Sequence, residues 1–336
     1  MAASWAWVCL VVVILLLLAI PLGPETRESY VKLPESPPIL DREGIPITIQ
    51  AQDGFRVFNP NFVKHNGKFY TVVRAHDDKH SYGIVLVETE GGGKKEIVID
   101  PVMPASRHDD EVDALIALFR SSCPTGMEDP RIFVHNDNLW LTGVKLSAGC
   151  LPSMVLFDLS EYERTRRPKI VPLVYPLVMK NSNKNWAPIS VGDRLLFVID
   201  FDPLLIVQCD VKSGACTLFH QGKKQHADVG VLRNSSITIP LSEEKHLILL
   251  HTKNYIETES YGEVIYYQHR FGIIDLKTGQ SKISRPFNVE KSGNPHIEYL
   301  SGIMLVGNNI LLGYGVGDKE AKSAIIPYKK LEELLA

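Results

Sequence analysis

One order of residues recurs five times along this chain: polar residues or proline, an apolar run of strand character, a tight turn, then a second apolar run. The segments are 58–75 turning at Asn66-Gly67, 127–145 turning at Asn136-Asp137-Asn138, 185–201 turning at Gly192-Asp193, 234–255 turning at 242–245, and 300–318 turning at Gly307-Asn308-Asn309. Asn-Gly and its relatives supply the positive φ that short hairpins need. The first four are each followed by a second strand pair, in 84–99, 154–171, 204–219 and 271–283. The fifth ends in 321–328 with no clear second turn. Four-stranded units at such intervals are the signature of propeller blades. Their irregular spacing excludes a WD40 or kelch array. The expected fold is therefore all-β, a five-bladed β-propeller over 51–336. A β-sandwich with long loops would not need the same order five times. Helical spacing appears only in 109–120 and in the C-terminal 329–335.

In a propeller the first strand of each unit lines the central channel, so five distant segments converge at one mouth. They carry Asn59-Pro60-Asn61, Glu128-Asp129-Pro130-Arg131, Lys184-Asn185-Trp186, Asn234-Ser235-Ser236 and Ser301-Gly302. The ends of the second strands add Arg74, Lys145, Asp200, His251, Lys253 and Tyr314. Carboxylates, bases, amides and an indole are the groups that recognise sugars, through hydrogen bonds to hydroxyls and an aromatic face for the ring.

Across 336 residues, 36 basic and 39 acidic side chains give a net charge of −3 with no basic block, which argues against a nucleic-acid partner. Trp5 to Leu22 is an uncharged apolar run. As a helix it would reach roughly 27 Å, close to a bilayer core. Residues 1–23 therefore read as a signal-anchor contacting the membrane, or as a signal peptide. The Pro- and Glu-rich 24–50 reads as a stalk. Either reading sends the body into the secretory pathway, as a Golgi or ER membrane protein with a lumenal domain or as a secreted one. Cys209 and Cys216 flank a turn-like segment and are placed to pair across a hairpin, leaving Cys123 and Cys150. Four free thiols are the alternative.

Gly126-Met127-Glu128-Asp129-Pro130-Arg131, Arg74-Ala75, Lys184-Asn185-Trp186, the strand ending at His251, His269-Arg270-Phe271-Gly272 and Tyr314-Gly315-Val316-Gly317-Asp318 together resemble the five-bladed propellers of glycoside hydrolase family 130. That family comprises β-mannoside phosphorylases and β-mannosidases, with related mannosyltransferases. The resemblance spans about 55–335. It implies that Asp129 is the general acid, relaying its proton through a substrate hydroxyl. It also implies sugar contacts from Asn59, Arg74, Glu128, Arg131, Asn185, Trp186 and Asp318. An anion site would draw on Lys184, His251, Lys253, His269 and Arg270. Lys184 and His251 fit the family's phosphate set, but His269 stands where a tyrosine is expected. Arg164, Arg166 and Arg167 read as a solvated edge.

The residues also allow a physical reading of Asp129. Along an extended strand Asp129 and Arg131 share one face and Glu128 takes the other. An adjacent arginine depresses a carboxyl's pKa, which works against an acid. An Asp129–Arg131 ion pair joining two blades is the structural alternative, and Trp186 reads equally as a sugar platform or as packing. Asp200-Phe201-Asp202 has the form of a metal-binding Asp-x-Asp, but the pattern is common by chance and no metal or other cofactor is expected. The co-substrate would be phosphate, a sugar phosphate or a nucleotide sugar, and the partner an oligosaccharide or glycoconjugate. Asn234-Ser235-Ser236 is a glycosylation sequon on an expected channel strand, where a substrate contact is the more natural role. Three functions follow: glycosyl transfer or phosphorolysis at a β-mannoside, inverting hydrolysis with Asp200, Asp202 or Asp318 as second carboxylate, or a glycan-binding propeller without catalysis.

Overall fold

The computed structural model describes residues 36–336 apart from 41–42, 52, 78–79, 100–124, 147–152, 177–183, 259–261 and 291–297. The apolar 1–23, the helix expected over 109–120, and Cys123 and Cys150 lie outside the described residues. No helix among the described residues is long and apolar enough to cross a membrane.

Among the described residues the first strand is the two-residue β1 (Ile45–Pro46), followed by a first unit of β2 (Arg56–His65), β3 (Lys68–His76), β4 (His80–Thr89) and β5 (Lys94–Ile99). The second unit is β6 (Thr125–His135), β7 (Asn138–Leu146), β8 (Ser153–Asp158) and β9 (Ile170–Pro172), with helix α1 (Leu159–Thr165) between its last two strands. The third is β10 (Ala187–Val191), β11 (Arg194–Phe201), β12 (Leu204–Cys209) and β13 (Cys216–Gln221). The fourth is β14 (Arg233–Pro240), β15 (Lys245–Thr258), β16 (Gly262–Asp275) and β17 (Gln280–Ile283). The fifth contains β18 (Glu298–Val306), β19 (Asn309–Val316) and β20 (Glu320–Pro327), followed by helix α2 (Tyr328–Leu335).

Within each unit the strands pair antiparallel in chain order. A short parallel pairing of β4 with β6 joins the first two units into one sheet. The first strands pack on one another in sequence, β2 against β6, β6 against β10, β10 against β14, β14 against β18, and β18 back against β2. The first strands thus contact one another in a closed order. The missing second turn of the fifth unit has a simple cause: its fourth strand is β1, which pairs Ile45 with Ser323 from the far end of the chain. Part of the segment expected as a stalk thus lies against the sheets, with Ile39 and Leu40 buried in the core and Ile45–Pro46 paired to β20.

Local chemistry explains most elements. Asn66, Gly67, Asn136 and Asp137 take positive φ in their turns, as the sequence requires. The sequence did not show α1. Asp158 caps it by accepting from the Glu161 amide at 2.8 Å, and Leu159 anchors it in the core. Cys209 and Cys216 form a disulfide across the β12–β13 hairpin, as expected. Between units the core is aromatic, with Phe133 edge-on to Phe197.

Polar side chains stitch the ring where apolar contact is thin. Asn61 donates to the Ser301 carbonyl of the fifth unit at 3.1 Å and accepts from the Ile132 amide of the second at 3.1 Å. Thr238 donates to the Pro188 carbonyl at 2.7 Å. The first of these bonds gives a partner to the carbonyl of Ser301, the residue that the register shift in β18 leaves out of the ladder. Gly126 sits at φ 102°, and a Cβ there would lie 1.9 Å from the Ser81 carbonyl oxygen on β4. Gly126→Ala should therefore lower stability by about 1–3 kcal/mol, read by urea denaturation.

Candidate functional site

β6 does not run straight through its acidic pair. Asp129 adopts φ 47° immediately before Pro130, and the register with β7 shifts between Glu128 and Arg131. Asn59 does the same before Pro60 on β2, at φ 55°. Asp and Asn enter this left-handed region more readily than other side chains. The bulge cancels strand alternation, so Glu128 and Asp129 turn to the same partner. Arg74 Nη1 donates to Glu128 Oε1 at 3.3 Å and to Asp129 Oδ1 at 3.4 Å. Its Nε donates to Ser81 Oγ, and its guanidinium lies 5.2 Å from the centre of the Phe58 ring. Asn59 Nδ2 donates to Asp129 Oδ1 at 2.9 Å, and Lys184 Nζ to Glu128 Oε2 at 2.8 Å.

The Asp129–Arg131 ion pair, the structural alternative to a catalytic Asp129, does not form: Asp129 pairs with Arg74. Arg131 is 3% exposed and turns to the next unit, donating to the Trp186 carbonyl and to Asn185 Oδ1. Its role is to join β6 to the segment before β10, with its charge felt at Asp129 from a distance. Burial pushes the Asp129 carboxyl up. Arg74, the Asn59 hydrogen bond, Arg131 and Lys184 together outweigh that push and hold it below the usual carboxylate range. Asp318 behaves oppositely. Burial and the nearby Asp129 charge raise it, against the pull of Arg74 and Arg56.

Three rings close the other side. His251, Tyr267 and Tyr299 contact one another edge to face, at centroid distances of 5.2, 5.2 and 5.4 Å. Burial pushes the Tyr267 hydroxyl up to about 12, with Asp318 and Asp129 adding to the effect. Neither tyrosine stood out in the sequence, because aromatic residues are ordinary in strands. Arg233 also escaped notice. It is exposed at the start of β14, opposite His251, and its charge reaches Asp200, His251 and Tyr267. Neither Arg233 nor Lys253 has a carboxylate partner in an ion pair among the described residues.

No family model matches the sequence. Over 140 residues it is 28% identical to beta-mannosyltransferase 3 of Candida albicans, a stretch that is 36% of this chain and only 25% of that relative. A structure from the GH130 family of mannoside phosphorylases, which contains glycoside hydrolases that target β-1,2 mannosidic linkages in Candida mannan, superposes with TM-score 0.57 at 14% identity, covering 88% of this chain and 97% of the other. The chain shares the fold of the family-130 mannoside phosphorylases. A mannose phosphorylase from Leishmania mexicana, solved with phosphate ion, gives TM-score 0.56 at 13% identity over 88% and 91% of the two chains. A GDP-Man-dependent mannosyltransferase from the same organism gives 0.55 at 13% over 86% and 90%.

On this family-130 fold several expected site residues take other roles. His269 is fully buried, donates from Nε2 to the Glu298 carbonyl at 2.9 Å and is lowered to about 4 by burial. It is a neutral core histidine and cannot serve as a phosphate-binding cation. His251 is likewise held neutral, well below its ordinary value, by burial and neighbouring cations, and shares a hydrogen bond with Ser235 Oγ at 2.7 Å. It remains beside Tyr267 as a neutral group. Arg270 donates to the Ser284 carbonyl and has Asp228 as its charged neighbour, so it is not brought to Asp129. Trp186 is 3% exposed and tilted against Phe197, which makes it packing and not a sugar platform. Asn234 is buried and donates to the Val198 and Ile199 carbonyls, so it is neither an accessible sequon nor a substrate contact. Asp202 accepts from the Gln225 and His226 amides, separating its role from that of Asp200. No group of three metal-ligating side chains occurs among the described residues.

The side chains of Arg74, Glu128 and Asp129 are only 11%, 17% and 18% exposed, so their pairing is weakly screened. Arg74→Gln leaves two carboxylates without their shared cation, at a cost of about 3 kcal/mol near neutral pH. A depressed carboxyl contributes stability above its unfolded pKa and loses it as pH falls through the folded value. The deficit of the variant should therefore shrink below about pH 4, measured by urea denaturation at two pH values.

Proposed function

We propose that this protein is a carbohydrate-active enzyme acting on β-linked mannosides, and that it builds such a linkage by moving a mannosyl group from a phosphate-bearing donor to a saccharide hydroxyl. The observation that carries this reading is an aspartate held ionised inside a mouth lined by cations. The fold shared with mannoside phosphorylases and a mannosyltransferase supports the substrate class, as does the partial likeness to a β-mannosyltransferase. The catalytic domain is read as a five-bladed propeller, carried into the secretory pathway by the apolar N-terminal run.

An ionised Asp129 accepts a proton more naturally than it gives one. In the proposed step the acceptor hydroxyl oxygen forms its bond to the anomeric carbon and passes its proton to Asp129. The bond from that carbon to the phosphate oxygen breaks, and its electron pair leaves with the phosphate. The acceptor hydroxyl grows more acidic as the new bond forms, which offsets the weak basicity of a depressed carboxylate. Arg233 and Lys253, cations without an ion-pair partner among the described residues, suit the leaving phosphate, with Lys184 contributing charge from the third unit. Asn59 and Arg74 orient the Asp129 carboxylate.

Hydrolysis is the second reading, favoured by Asp318. Environments that push two nearby carboxyls apart assign an acid and a base. Here Asp318 would protonate the leaving oxygen while Asp129 activates water, and inversion needs the pair about 6.5–9.5 Å apart. The two readings separate in one experiment on the full chain, using mannose 1-phosphate and GDP-mannose as donors and a β-linked mannobiose as acceptor or substrate. Transfer is expected, and Asp129→Asn should lower it by at least about a hundredfold with folding retained. Release of mannose from mannobiose without donor, abolished by Asp318→Asn, would establish hydrolysis instead.

A further inference from the structure

β15 and β16 outrun the sheet they belong to. Pairing with β14 ends at His251, and pairing with β17 begins at Gly272, yet β15 and β16 remain paired out to Thr258 and Gly262. Residues 252–258 and 262–268 thus form a two-stranded arm standing beyond the fourth unit. At roughly 3.4 Å per residue the arm is about 20 Å long.

Its two faces differ. Register places Lys253 opposite Tyr267 and Tyr255 opposite Ile265, and alternation puts these residues on the face that continues from His251 and His269. At the base of that face Tyr267 packs on His251 and Tyr299, beside the site, and feels Asp318, Asp129 and Tyr255 in turn. Lys253, Tyr255 and Tyr267 are all half-buried, and the Lys253 ammonium covers the Tyr255 ring at 4.9 Å from its centre. The opposite face is fastened. Tyr266 donates to Asn288 Oδ1, and Gln268 donates to Ser36 Oγ at 2.6 Å. Asn288 in turn donates to the Ser36 carbonyl and bridges to Pro38. The N-terminal segment therefore braces the arm from behind.

We infer that the inner face of this arm, with Tyr255 as its principal contact, is a saccharide subsite that holds sugar units of the acceptor beyond the one that reacts at Asp129. A half-exposed aromatic gives a sugar ring an apolar face to pack on. Bracing through Tyr266 and Gln268 means that binding need not order the arm, which lowers the entropic cost of engaging a long, flexible glycan. Tyr267, at the arm's base, feels the charge of Asp129. A chain of sugars lying along it would leave its terminal unit at Asp129. This inference rests on the proposed transfer to saccharides and adds that the acceptor is an oligosaccharide and not a single sugar.

The test uses β-linked mannooligosaccharide acceptors of two and four units with the full chain. Wild type is expected to favour the tetrasaccharide by about tenfold in kcat/KM, equivalent to about 1.4 kcal/mol, through a lower KM at similar kcat. Tyr255→Ala should bring that preference close to one, and Tyr255→Phe should keep it. Asn288→Ala, which touches no sugar in this scheme and only loosens the brace, should weaken the preference in KM and not in kcat. A preference that survives in Tyr255→Ala, or a wild type indifferent to acceptor length, overturns the subsite while leaving the transfer reaction standing. Absence of transfer to either acceptor, with no tetrasaccharide binding by calorimetry, overturns the function and the subsite together.

Discussion

Asp129 stands at φ 47° in the middle of an eleven-residue strand, and the character of the site depends on that turn. Had β6 stayed extended, Glu128 and Asp129 would point to opposite faces and Arg74 could meet only one of them. The bulge brings both carboxylates onto Arg74 and frees Arg131 to bind the backbone of the next unit. The matching turn at Asn59 delivers the amide that completes the cradle. Two Asx-Pro steps in neighbouring units therefore shape both the ring seam and the chemistry at its mouth.

The consequence is a charge arrangement unlike a simple acid pair. Asp129 is held ionised by its surroundings and Asp318 is pushed toward neutrality by burial and by Asp129 itself. Cations reach the same mouth from three units: Arg74 from the first, Lys184 beside the third, and Arg233 with Lys253 from the fourth. Those of the first and third units are engaged by Glu128, whereas those of the fourth carry no ion pair among the described residues. The phosphate-bearing donor proposed above would find its counterpart there.

The local code of the chain was readable wherever a turn or cap sets the backbone. Asn66-Gly67, Asn136-Asp137 and the hairpin between Cys209 and Cys216 announced their turns, and five repeats of one order announced the units. Non-local choices left no such mark. Nothing near Ile45 shows that it completes a sheet begun at Glu298. Nothing in the 245–258 run shows that its outer half leaves the sheet. Alternation misled at Asp129 because it assumes extended backbone, and the left-handed turn is a property of the fold. His269 and Trp186 misled for another reason: a polar or aromatic residue near the site can face a ligand or the core, and burial decides which.

A structure of the protein with a β-linked mannobiose bound tests the account most directly. The glycosidic oxygen should lie within hydrogen-bond reach of the Asp129 carboxylate, at about 2.6–3.2 Å, with Arg74 still bridging Glu128 and Asp129. A disaccharide seated elsewhere on the ring, with Asp129 still locked against Arg74 and Asn59 and touching no sugar, would contradict it.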